Sequence, residues 1–162
     1  MEPKRIAYFR NFIFGVEDSL VSTVGLLSGV AIAGLTPREI FLTGVILIFV
    51  EAFSMGAGSY LSETSAEELA TRKDDTKRSF ASALIMFVSY AVSGFIPLLP
   101  YLVMPVASAF PASIIASLIA LLVLGILSAK VSRTSVLTDS IRMVAIGGFA
   151  IAVGVLVGKL VA

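Results

Sequence analysis

This sequence predicts an all-α integral membrane protein with five transmembrane helices, and three observations lead there. Hydrophobic residues fill 57% of the 162 positions and charged residues 14%, with a mean hydropathy of +1.00. Soluble domains carry about 25% charged residues. Long apolar runs reach or exceed the roughly 20 residues that cross a bilayer core. Lysine and arginine also collect on one side if the chain crosses five times, which places the N-terminus in the cytoplasm and the C-terminus outside.

The elements follow in order. Between Asn11 and Pro37 the charges are Glu17 and Asp18 alone, giving a first span over about residues 11–36. The preceding "MEPKRIAYFRN" has the positive charge of a signal peptide, but the apolar run outlasts one and is taken as a retained span. From Ile40 to Ser62 the one charge is Glu51, giving a second span over about residues 39–62. Good helix formers then continue it into the cytoplasm to about residue 73, with a break near Asp74 and Asp75. Ser79 to Ala129 is free of charge and too long for one crossing. Its prolines place a turn after Pro97, giving spans over about residues 79–97 and 106–128. The last span covers about residues 138–161. Lys4, Arg5, Arg10, Arg72, Lys73, Lys77, Arg78, Lys130, Arg133 and Arg142 then share the cytoplasmic side, against Arg38 and Lys159 opposite. The chain reads as a single transmembrane domain without a linker or an internal repeat.

Composition excludes several chemistries. With no cysteine and no histidine there are no disulfides, thiolate zinc sites, imidazole ligands, or Ser-His and Cys-His catalysis. A net charge of +1 without a basic cluster gives no sign of nucleic acid as a partner. The expectation is a protein that is not an enzyme and needs no resident cofactor.

Against that background the intramembrane acids demand a reason, since such a residue costs about 2.5–3.5 kcal/mol even on lenient insertion scales. Asp18 enters its helix from the cytoplasmic side and Glu51 approaches the same side on the returning helix. At 1.5 Å per residue both lie roughly 12–14 Å deep. Asp18, Ser22, Gly25 and Gly29 share one helical stripe, as do Glu51, Met55, Gly58 and Ser62. Glu17 points about 100° away from Asp18 and serves a different contact. A satisfied, non-functional acid is the competing reading, with Arg10 or Arg142 as partner, and it weighs most on Glu17. Methionine alone more often fills a gap than binds a ligand. The GxxxG of Gly154 and Gly158 is weak evidence for any particular contact. Glu63, Glu67 and Glu68 read first as a solvated face, and second as a place of cytoplasmic metal capture. Two carboxylates, hydroxyls and a thioether form a mostly oxygen donor set for Mn²⁺, Mg²⁺ or Ca²⁺, and the sulfur favours Fe²⁺ or Mn²⁺. One chain offers too few donors, and a symmetric dimer would double them.

The stretches "GVEDSLVSTVGLLSG" and "VEAFSMGAGSYLSETS" resemble the first two helices of the vacuolar iron transporter family. That family spans yeast iron and manganese carriers, plant transporters, nodulin-like relatives and prokaryotic members. Asp18, Leu20, Gly25 and Gly29 fit its first-helix pattern, while Ser19 replaces the usual glycine. Ser54, Met55, Gly58, Tyr60, Ser62 and Ser65 fit the second, with Glu51 one turn before the methionine. The resemblance implies a homodimer with its ion path at the subunit interface, and a metal site of Asp18, Glu51 and Met55. Glu17, Ser22 and Ser54 become secondary path residues. It also implies export of Fe²⁺ or Mn²⁺ from the cytosol in exchange for protons, the metal being cargo. Family members with a glutamate-rich cytoplasmic domain carry it between spans 2 and 3, where this chain has only about residues 66–78. The short connection favours the cell membrane of a prokaryote. A passive divalent-cation channel and a non-transporting membrane scaffold are the alternatives. An intramembrane aspartyl protease needs two aspartates, and Asp18 alone lies clear of the helix ends.

Overall fold

The computed structural model describes residues 3–71 and 76–162, and of residues 3, 4, 67, 70 and 71 the backbone alone. Every regular element among the described residues is an α-helix: α1 (Pro3–Ile32), α2 (Pro37–Thr71), α3 (Thr76–Val103), α4 (Val106–Ser132) and α5 (Val136–Val161). All five are long and apolar enough to cross a membrane. The chain is an integral membrane protein. The break anticipated at Asp74 and Asp75 lies outside the described residues.

Local chemistry sets the helix ends. Pro3 and Pro37 stand at first helical positions, where the missing N–H costs nothing. α1 closes on Gly34, whose φ of 85° suits glycine, with Leu35 N–H bonding the Val30 carbonyl at 3.2 Å and Gly34 N–H the Ala31 carbonyl at 3.2 Å. Two residues later Thr36 and Glu39 form a reciprocal box at the start of α2. Thr36 N–H donates to the Glu39 carboxylate at 2.8 Å, and Glu39 N–H reaches the Thr36 hydroxyl at 3.4 Å. Ser135 accepts from Thr138 N–H at 3.4 Å to start α5.

The turn after Pro97 does not occur there. α3 runs through Pro97 and Pro100 to Val103, and the break falls at Met104 and Pro105. Prolines inside a membrane helix are tolerated when neighbours satisfy the carbonyls they disturb. The carbonyls that lose a helical donor are those of Ser93 and Ile96, and Ser113 of α4 donates to the neighbouring Pro97 carbonyl at 2.7 Å, tying this turn to the next helix. Met104 precedes Pro105 and is biased away from the helical region, so it ends the helix without help. α1 also begins about eight residues before the expected span, because a helix does not stop where its charged residues begin.

α1 is the axis of the bundle. It packs mainly against α3 and α5, less against α4, and least against α2, which leans on α3. One apolar cluster joins Leu27, Ile40, Ile48, Leu98, Tyr101 and Ala109 from the first four helices. A second joins Leu20, Leu121, Leu124 and Met143 from α1, α4 and α5. The α1–α5 seam brings backbones together. A Cβ at Gly154 would stand 1.9 Å from the Gly25 carbonyl oxygen, and one at Gly158 would stand 2.3 Å from that of Gly29. The GxxxG thus has a definite partner: the glycine stripe of α1.

Candidate functional site

Helical spacing puts Asp18 and Ser22 one turn apart on α1, and α3 holds that turn from behind. Ser19 donates to the Tyr90 carbonyl at 2.7 Å, while the Ser22 and Tyr90 hydroxyls are 2.7 Å apart. Both ends of one α3 residue are thereby tied to α1. Tyr90 is fully buried, and Ser93 adds a bond to its carbonyl at 3.3 Å. Asp18 and Glu51 are half-buried and near enough for their charges to interact, and the Tyr90 hydroxyl lies within electrostatic reach of both. The structure brings together Asp18, Glu51, Ser22 and Tyr90, from α1, α2 and α3.

A cavity of about 950 Å³ opens beside this group, toward the end of the bundle where α1 begins. Glu17, Ser54, Met55, Ser62 and Glu63 are on its wall, and Asp18 and Glu51 are not. Of the trio Asp18, Glu51 and Met55, the thioether lines the cavity beside Ser54, and the two acids are near enough for their charges to interact. Glu17 also has a place in this arrangement. It lines the cavity and interacts with Arg142 of α5, whose guanidinium stands 4.0 Å from Asp139. No group of three or more carboxylates able to hold a metal ion occurs among the described residues. Two acids with hydroxyls give an incomplete oxygen shell, which suits a site finished by water or by a second chain.

Glu63 departs from the solvated face expected of it. It is 7% exposed and ion-paired with Arg10, while Glu68 is exposed. The side chain of Glu67 lies outside the described residues. Next to the ion pair, the Asn11 amide donates to the Ser59 hydroxyl at 3.1 Å. Sequence reading misses Tyr90 and Asn11. A tyrosine within a charge-free apolar run carries no periodic signal of which helix it faces, and Asn11 sits at the expected start of the first span.

Comparison with known proteins covers most of the chain. The model of the VIT family matches residues 9–79 and 66–159, two segments that overlap over residues 66–79. Vacuolar iron transporter 1 of Arabidopsis thaliana is 24% identical over 213 aligned residues, covering 94% of this chain and 85% of the relative. Vacuolar iron transporter 1 of Tulipa gesneriana is likewise 24% identical, over 94% of this chain and 86% of its own. A shorter match to vacuolar iron transporter 1 of Eucalyptus grandis reaches 44% identity over 59 residues, 36% of this chain and 24% of the relative.

Proposed function

The chain belongs to the VIT family, and from that premise we propose that it carries divalent transition-metal ions, Fe²⁺ or Mn²⁺, out of the cytosol in exchange for protons. The relatives named as vacuolar iron transporters support the metal. The observation that carries the mechanism is the pairing of Asp18 with Glu51 from antiparallel helices, backed by the Ser22–Tyr90 hydroxyls. Two like charges held close in a membrane repel, and a dication placed between them removes that repulsion. Two protons remove it equally well. The site therefore has two neutralised states, one metal-bound and one protonated, and alternating between them couples the flows.

The donor set is completed by a second copy of the chain, related by a twofold axis and presenting the same stripe, so the working unit is a homodimer in the lipid bilayer. Met55 contributes a thioether that favours softer cations over Mg²⁺ and Ca²⁺. Ser54 and Glu17 lie along the approach. The short link between α2 and α3 supports a chain without a separate metal-collecting domain, placed in the cell membrane of a prokaryote. The test is metal uptake into proteoliposomes under an imposed pH gradient. Fe²⁺ or Mn²⁺ flux should require both the gradient and Asp18, and Asp18→Ala should abolish it while leaving the assembled protein intact. Flux that needs Asp18 but ignores the gradient would replace the exchanger with a channel. Flux in neither protein would end the transport reading.

A further inference from the structure

On the transport reading above, we infer that the Glu63 carboxylate is an entry site for a divalent cation, at which Arg10 acts as a tethered stand-in that the arriving ion displaces. The argument starts from an imbalance. α1 and α2 carry Asp18 and Glu51 yet touch each other least of all the pairs α1 makes. Among the described residues, the Arg10–Glu63 ion pair and the Asn11–Ser59 hydrogen bond still join them near the start of α1. The ion pair is lopsided. The Glu63 side chain is 8% exposed and that of Arg10 is 67% exposed.

That asymmetry decides which partner can leave. A carboxylate withdrawn from water needs a counter-charge, and taking its cation away without replacement is strongly unfavourable. Arg10 has most of its side chain exposed and is the partner free to swing away when another cation takes over. Glu63 is thus a place where one cation exchanges for another. The surroundings suit a hard or borderline dication. The Asn11 amide and the Ser59 and Ser62 hydroxyls are on the same cavity wall and offer neutral oxygens.

The position suits entry as well. Glu17 lies seven residues beyond Arg10 on α1, about 10 Å deeper, and it lines the same cavity with Ser54 and Met55. An ion released from Glu63 meets a second carboxylate and then a thioether within one continuous space, and Asp18 with Glu51 stands next to it. Arg10 then sets how readily the cavity loads, because every ion must compete with it.

The experiment is Mn²⁺ flux in proteoliposomes of the full chain, measured against Mn²⁺ concentration for wild type, Arg10→Gln, Glu63→Gln, and the charge exchange Arg10→Glu with Glu63→Arg. Folding and assembly are checked by size-exclusion chromatography and thermal melting. Arg10→Gln should lower the half-saturating Mn²⁺ concentration several-fold, because the competitor is gone. Glu63→Gln should raise it several-fold. The charge exchange should restore a value near wild type, with the carboxylate now on α1. Single variants that shift half-saturation in the same direction, or leave it unshifted while melting earlier, make the pair a structural tie and overturn the entry site. That outcome leaves the transport reading standing if flux still needs Asp18. A wild type that moves no Mn²⁺ overturns both.

Discussion

A carboxylate in a membrane helix must find a partner or give up its charge, and the acids of this chain divide on that point. Glu63 has Arg10, Glu17 interacts with both Asp18 and Arg142, and Asp18 interacts with Glu51. On the proposed transport function, the last two are the pair left for an outside cation. Asp18 was legible in the sequence because it stands inside a charge-poor run with a matched acid on the next helix. The partners were not, since the arginine that reaches Glu63 lies 53 residues away and no helical spacing links them. Tyr90→Phe removes one hydroxyl and leaves Ser22 without its 2.7 Å partner. We expect a loss of about 0.6 kcal/mol, the usual worth of such a bond in a membrane protein, read as a lower midpoint in detergent denaturation. Met55→Leu keeps the volume, so stability should change by less than about 1.5 kcal/mol. Without the sulfur, the half-saturating concentration in flux assays should rise more for Fe²⁺ than for Mn²⁺.

Between elements the decisive contact is α1 against α5, where backbone meets backbone at Gly25, Gly29, Gly154 and Gly158. Membrane helices gain little from the hydrophobic effect on association and rely on close packing of small residues. Gly154→Val would force a side chain into the Gly25 carbonyl, so the helices must part. The loss should reach the upper end of overpacking costs, about 3 kcal/mol, and appear as a clear drop in thermal stability in detergent. Gly148→Ala is the matched control. A Cβ there meets nothing within 4 Å, and alanine is the better helix former by about 1 kcal/mol, so stability should hold or rise. The five helices were legible as long apolar lengths with few charges. The end of α3 was not, because Pro97 and Pro100 look like a break by local rules, whereas they lie within a continuous helix that packs on α4 through Ser113. A helix partner of that kind is a tertiary fact, invisible to local rules. The α1–α5 seam was half visible for the same reason: both glycine stripes could be read, but not that they face each other.

At the scale of the whole molecule, α1 sits at the centre of the bundle and still leaves the Asp18–Ser22 stripe half-buried. An axis helix with an incompletely covered polar stripe, bearing too few donors for a metal, is the arrangement expected if a second copy supplies the rest. Twofold symmetry would set two Asp18–Glu51 pairs face to face around one path. The alternative is that each chain carries metal through its own cavity, and mixing decides between them. Wild type and Asp18→Ala, carrying different affinity tags, are co-expressed in equal amounts and reconstituted together, with tandem purification to prove that mixed dimers form. If each chain works alone, flux per total protein should be about one half of wild type. If both copies of Asp18 are needed at a shared site, random pairing leaves about one quarter of the dimers active. Purified mixed dimers would then be silent. A flux of one half, with active mixed dimers, would move the transport path from the interface into the single chain.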